Sequence, residues 1–296
     1  MKKNVKITGA VLCTALLASM VALSGCGENS AESQGSETSS ISSAVSSETN
    51  SIVSSAAEST GSSEVSSSTS ATVTPAGALG ESQRVDPSYF DDAVFIGDSV
   101  SNKLRLYVTA QRKTDASYLG KAQFLTAGSL GSHNALWDVS RKDSVHPAYE
   151  GNKSLLEDSV AAMGAKKVYI MLGMNDIGLY GVEDSITSME TLIQRILEKS
   201  PDAKIYIESA TPMMEAFETT KLNNDTIMEY NQKMLELCQK KGYYFVDVAS
   251  VMKDENGNLI ADYCSDPYPD QSGNMGIHFT DVGCKVWIDY LYTHTA

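Results

Sequence analysis

The sequence predicts an α/β domain over residues 85–296: a five-stranded parallel sheet covered by helices on both faces, a three-layer α/β/α arrangement. Three observations predict it. Five short apolar runs rich in β-branched and aromatic residues recur along this part of the chain. Segments of helical periodicity lie between them. Stop and start residues punctuate the changes from one pattern to the other.

The runs are 93–96, 123–126, 167–172, 204–208 and 244–248. Their apolar character is largely continuous rather than alternating, as expected of strands buried on both faces of a parallel sheet. Between the third and fourth runs, Ile186, Met189, Ile193, Ile196 and Leu197 fall at helical spacing, and Lys199-Ser200-Pro201 ends that helix. Ile227, Tyr230, Met234 and Cys238 mark a second helix, closed by Lys240-Lys241-Gly242. A third follows Thr280-Asp281, with Val282, Val286 and Leu291 on one face. No internal repeat is visible.

Two quite different segments precede this domain. Residues 1–25 read as a bacterial lipoprotein signal peptide. Lys2, Lys3 and Lys6 form a basic start, an apolar stretch follows, and Leu23-Ser24-Gly25-Cys26 reads as a lipobox. In that reading Cys26 becomes the first residue of the mature chain, and its thiol carries the lipid. The alternative is an uncleaved N-terminal anchor helix. Either one exports the domain and tethers it to a membrane, at the outer face of the cell membrane.

Residues 26–84, beginning at lipidated Cys26, are mostly Ser, Thr, Glu and Ala. The stretch from Gly27 to Thr74 has no Lys, Arg or aromatic residue at all. Such a composition cannot bury enough apolar surface to offset the entropy of ordering the backbone, so a disordered linker is expected. It is either a stalk holding the domain off the bilayer or a featureless connection.

The whole chain has 296 residues and a formal net charge of −14. That balance repels phosphate backbones and argues against a nucleic-acid partner. No Gly-rich phosphate loop, CxxC pair or HExxH occurs, and five scattered cysteines do not make a disulfide framework.

In parallel α/β sheets, sites lie at the carboxyl ends of the strands. Gly97-Asp98-Ser99 follows the first run, Ala127-Gly128-Ser129 the second and Gly173-Met174-Asn175-Asp176 the third; Gly276-Ile277-His278-Phe279-Thr280 precedes the final helix. These residue types suit acyl transfer. Ser99 would be the nucleophile and His278 the base that a serine needs. The Ser99 and Gly128 backbone N–H groups and the Asn175 amide would stabilise the oxyanion, glycine at 128 letting the main chain approach a substrate closely.

The constellation resembles the SGNH (GDSL-type) hydrolase family over about residues 90–296. Gly-Asp-Ser after one strand and Gly-x-Asn-Asp after a later one are specific together. Tyr230-Asn231, with the run to Phe245-Val246-Asp247, looks like the stretch before that family's last strand. The resemblance implies a flavodoxin-like fold and hydrolysis or transfer of ester-linked acyl groups with no metal or other cofactor. It assigns Ser99 as nucleophile, Gly128 and Asn175 as oxyanion donors and His278 as base.

One position departs from the family. Three residues before the histidine, where an Asp is expected, stands Met275. Asp270, the nearer, and Asp266 lie in the turn-rich stretch 264–274, and Asp270 is the candidate orienting acid. Otherwise a backbone carbonyl orients His278 in a Ser–His dyad, or the site has decayed.

Among the other polar residues, His133 and His146 read as surface or loop residues, His133 with a potential substrate contact. Asp98 and Asp176 read as tying down their own turns. Cys238 reads as core; Cys264 and Cys284 are either paired or two free thiols. The 14 tyrosines line a sugar-binding surface or are half-buried strand residues. The leading function is a surface-anchored serine esterase removing small acyl groups, such as acetyl, from carbohydrate or cell-wall esters. An O-acyltransferase on surface glycans and a non-catalytic lipoprotein scaffold are the alternatives.

Overall fold

The computed structural model describes residues 77–296. The expected signal peptide, Cys26 and most of the expected linker lie outside the described residues. In chain order the elements are β1 (Ala93–Gly97), α1 (Ser99–Gln111), β2 (Gln123–Thr126), the short hairpin β3 (Ala148–Tyr149) and β4 (Asn152–Lys153), α2 (Leu156–Met163), β5 (Lys167–Met171), α3 (Met174–Tyr180), α4 (Val182–Lys199), β6 (Lys204–Glu208), α5 (Asn224–Lys241), β7 (Tyr244–Val246) and α6 (Asp281–Thr293). The main sheet has the order β2-β1-β5-β6-β7 and is parallel throughout. Helices α1 and α6 pack together, as do α2, α4 and α5, giving the α/β/α sandwich expected from the sequence.

The five apolar runs are the five strands of this sheet. Every residue of β1 is buried. One aromatic ring per strand forms a ladder across all five. Phe124 stacks on Phe95, Phe95 on Tyr169, Tyr169 on Tyr206 and Tyr206 on Tyr244, at centroid separations of 5.4, 4.7, 4.4 and 4.7 Å. Each stacked pair is also a register pair. Such contacts add about 0.5–1.5 kcal/mol each beyond area burial. Tyr169 and Tyr206 are fully buried, so these tyrosines serve the core and not a sugar-binding surface.

Helix ends follow local chemistry. Asn223 caps α5 in a reciprocal pair with Thr226, and Gly242 ends it at φ +74°. The face of α6 turned inward carries Cys284, Trp287, Ile288 and Leu291, whereas Val282 is 57% exposed. The expected face was therefore misplaced at its first turn. No described helix is long and apolar enough to cross a membrane.

The folded unit reaches back beyond Val85. The Leu79 N–H donates to the Phe245 carbonyl at 2.8 Å, Ser82 to Thr293 at 2.6 Å and Val85 to Tyr292 at 2.9 Å. The last residues of the expected linker are thus pinned to the domain. Because the helices run back from the carboxyl ends of the strands, residues near the ends of α5 and α6 lie at the opposite edge of the sheet. Gly77, the first described residue, lies there beside Gln239.

Candidate active site

Ser99 opens α1 directly after β1. Asp98 caps that helix, its carboxylate accepting the Val100 N–H at 2.8 Å. The hydroxyl of Ser99 stands 2.9 Å from His278 Nε2. On the far side of the ring, His278 Nδ1 lies 2.7 Å from Asp266 Oδ2. With Nδ1–H donating a hydrogen bond to that carboxylate, Nε2 is left as the acceptor facing serine.

The acid beside His278 is Asp266, not the expected Asp270. Asp270 is exposed and bonded to neither partner. Proximity along the chain was the wrong criterion, because the loop between residues 264 and 279 folds back on itself. An antiparallel bridge joins Cys264 to Phe279, and Ser265 N–H donates to the His278 carbonyl at 2.8 Å. This pairing sets Asp266, twelve residues back, opposite the imidazole, while Asp270 is carried to the loop tip. Met275 contributes its backbone N–H to Asp266 Oδ2 at 2.9 Å; His278 N–H and the Cys264 thiol donate to Oδ1 at 3.1 and 3.3 Å. Burial pushes the Asp266 carboxyl up, but the bonds from the His278 ring, both backbone N–H groups and the thiol outweigh it and hold the group below its ordinary value.

Asn175 sits in the first turn of α3, immediately beyond β5. Its amide nitrogen donates to Asp98 Oδ2 at 3.0 Å and to the Leu130 carbonyl at 3.1 Å. It thereby joins the serine turn to the loop after β2 that holds Gly128. Gly128 is exposed, and nothing lies within 4 Å of where its Cβ would be. Protein packing therefore does not demand glycine there, which leaves close approach of a substrate as its physical use. An oxyanion at this centre would share or displace one of the two amide bonds of Asn175.

Asp98 is fully buried. Its carboxyl is pushed up to about 6 by burial, against the Val100 N–H and the charge of His278. Asp98 does cap its own turn, as expected. Asp176 does not. Its oxygens reach across to another loop, accepting from Ser132 N at 2.7 Å, Ser132 Oγ at 3.1 Å and His133 N at 3.1 Å.

Two further residues, neither of them assigned a role from the sequence, shape the site. Tyr230, on α5, donates its hydroxyl to the Leu172 carbonyl at 2.8 Å. Its ring fills the space where a Cβ on Gly173 would come within 2.7 Å, at φ +141°, so the turn carrying Asn175 needs glycine. Phe217 does the same for Gly276, whose φ is +65° and whose Cβ would lie 2.4 Å from the ring. Met214 N–H donates to the Gly276 carbonyl and fastens this strap to the His278 loop. Only the paired glycines at 173 and 276 hinted at these contacts.

The remaining candidates fall into place. His133 stacks on Tyr180 at 3.9 Å. His146 is buried, not a surface residue, and its Nε2 lies 2.9 Å from the Trp137 carbonyl. Cys238, Cys264 and Cys284 are all buried and free, so Cys264 and Cys284 do not pair. Among the described residues no group of three or more His, Cys, Asp or Glu side chains is placed to hold a metal ion.

The sequence model of the GDSL-like Lipase/Acylhydrolase family matches residues 95–286, from inside β1 to the middle of α6. No curated protein matches the chain. Among solved structures, a GDSL-like lipase from Bacteroides thetaiotaomicron is 15% identical, with 70% of this chain and 89% of that one aligned at a TM-score of 0.49. An acetyl xylan esterase is 13% identical over 68% and 97% of the two chains, TM-score 0.46. The periplasmic domain of a Salmonella ser. Paratyphi A lipopolysaccharide acetyltransferase is 19% identical over 68% and 82%, TM-score 0.45. The matched span holds Ser99, Gly128, Asn175, Asp266 and His278 and covers more than half of the chain, which therefore belongs to the GDSL-like lipase/acylhydrolase, or SGNH hydrolase, family.

Proposed function

We propose that this enzyme is a serine esterase that removes small acyl groups, such as acetyl, from carbohydrate or cell-wall esters through an acyl-enzyme. The observation that carries the reading is the unbroken chain of contacts from Ser99 Oγ through His278 to Asp266, at 2.9 and 2.7 Å. Ser99 Oγ attacks the ester carbonyl while His278 Nε2 takes its proton. Asp266 holds the imidazole in the required tautomer and stabilises the imidazolium that forms. The Ser99 and Gly128 N–H groups and the Asn175 amide receive the oxyanion. Collapse of the tetrahedral intermediate expels the alcohol, protonated by His278. Water, activated by the same histidine, then releases the acid; a sugar hydroxyl in its place would make the enzyme an O-acyltransferase.

The carbohydrate assignment rests on location. A lipid-modified Cys26 would tether the domain to the outer face of the cell membrane, where wall polymers and external glycans are the nearest esters. A fluorophosphonate probe should label the wild-type protein but not Ser99→Ala, and acetyl esters should be cleaved only by the former. Failure of the wild type to do either rejects the esterase. Mass spectrometry of the native N-terminus tests the anchor separately: an unmodified start other than Cys26 rejects it.

A further inference from the structure

Residues exposed at the carboxyl-end rim include large apolar and aromatic side chains on both sides of the nucleophile. Tyr180 and Leu179, 37% and 72% exposed, end the short helix that begins beside Asn175. Tyr268 and Met275, 60% and 47% exposed, sit on the loop that carries Asp266 and His278. Ser99 lies between the two groups, because its hydroxyl meets His278 while the adjacent Asp98 meets Asn175. Exposed apolar groups brought together around a cleft mark a ligand surface more often than isolated ones do.

The Asn175 side is built more fully. One face of the Tyr180 ring is stacked on His133, 3.9 Å away and 20° from parallel. The His133 backbone is in turn held by Asp176, next in sequence to Asn175. The ring is thus braced from behind against the same helix turn that presents the oxyanion candidate. Directly beside it is a cavity of about 350 Å³ lined by Gly178, Leu179, Tyr180, Lys221 and Thr226. Lys221 has no ion-pair partner among the described residues, so its ammonium is available to oxygen acceptors. Gly178 and Tyr180 are three and five residues beyond Asn175, roughly 4.5–7.5 Å along the helix axis.

We propose that Tyr180 and the cavity beside it form the subsite that holds the carbohydrate ring of the ester, with Lys221 donating to its hydroxyl oxygens. This inference rests on the esterase reading and specifies its alcohol. A braced aromatic ring with one cation in reach suits a planar-faced, oxygen-rich ring better than an acyl chain, which would leave Lys221 unmatched. The formal charge of −14 disfavours an anionic bilayer as the occupant of the rim. The substrate then lies across the rim, its acyl group over Ser99 and its sugar beside α3.

The test compares O-acetylated tetrasaccharides of glucose and of N-acetylglucosamine with p-nitrophenyl acetate as substrates. For Tyr180→Ala, the ratio of kcat/KM on the better glycan to that on the small ester should fall about tenfold, the loss of one stacked ring contact. Tyr180→Phe should retain the wild-type ratio, and Lys221→Met should lower it. Equal losses on both substrates, or no change in the ratio, overturn the proposal. So does a selective loss on a medium-chain p-nitrophenyl ester, which would make this an acyl-chain surface. Binding of the same tetrasaccharides to Ser99→Ala, followed by NMR with and without Tyr180→Ala, keeps the two readings apart. Binding that requires Tyr180 in a protein whose wild type cleaves no ester would retain the subsite and reject the esterase; absence of binding beside active small-ester cleavage would do the reverse.

Discussion

Replacing Asp266 by Asn should disable the enzyme while leaving the fold in place. The carboxylate takes four donors on two oxygens: His278 Nδ1 and Met275 N on Oδ2, His278 N and the Cys264 thiol on Oδ1. An amide has one oxygen and one NH2 group, so it cannot accept from all four. With its oxygen at the Oδ2 position, the NH2 group confronts the His278 backbone N–H. With the oxygen at Oδ1, the NH2 group faces His278 Nδ1 and drives the ring proton to Nε2, where it blocks proton transfer from Ser99. Each orientation leaves one backbone N–H facing the NH2 group, that of His278 in the first and that of Met275 in the second. Neither restores the carboxylate's contacts, and the second also carries the wrong tautomer. The expected fall in kcat is on the order of 10²–10⁴, equivalent to about 2.7–5.4 kcal/mol of transition-state stabilisation. Turnover of p-nitrophenyl acetate near pH 7.5 measures it, with thermal unfolding as the check on folding. Asp270→Asn, an exposed change with no partner at the site, should stay within about twofold of wild type. More than a tenth of wild-type activity in Asp266→Asn, or an equal loss in Asp270→Asn, would refute this assignment. The Asp266 carboxyl is lowered in the folded state, so its contribution to stability is present above the unfolded value of about 3.9 and lost as pH falls through its folded value. That acid-side component should be absent from the Asn variant.

Other changes test neighbouring parts of the structure. Asn175→Ala should lower kcat by roughly 10²–10³-fold with little change in KM. It should also cost about 1–3 kcal/mol in denaturant unfolding, because the Leu130 carbonyl loses its donor. Glu208 is buried with Trp287 Nε1–H donating to it at 2.7 Å, and burial pushes its carboxyl up to about 8 despite that bond. Because the folded value is raised, the contribution of Glu208 to stability is fully present at and below about pH 4.5 and is lost as pH rises toward 8. Glu208→Gln should flatten that decline and raise Tm at pH 8 by several degrees, with little effect at pH 4.5. Gly276→Ala must place a Cβ 2.4 Å from the Phe217 ring at φ +65°. Its expected cost is about 1–3 kcal/mol in stability, with reduced fluorophosphonate labelling from displacement of His278.

The five strands were legible because continuous apolar character is a local property, written residue by residue in each run. The same holds for the helix end at Gly242, the helix start at Thr280 and the arrival of Ser99, Asn175 and His278 at one rim. Strand direction and a parallel sheet are enough to send those residues to the same edge. The companion of His278 was not legible. Asp266 and Asp270 stand in one turn-rich stretch with similar local chemistry, and only the bridge between Cys264 and Phe279 decides which of them faces the imidazole. Asp176 likewise reads as a turn residue until the fold brings the loop at 132–133 within reach of its carboxylate. Tyr230 and Phe217 became partners of Gly173 and Gly276 only when α5 and the segment after β6 were packed against the rim. The aromatic ladder has the same origin: each strand supplies one ring, but register alone stacks them. The sequence by itself thus determined the elements and the rim at which they deliver their polar residues, since periodicity and capping act over a few neighbours. Tertiary structure decided the contacts between distant loops, because those depend on closure of the chain and carry no periodic signal.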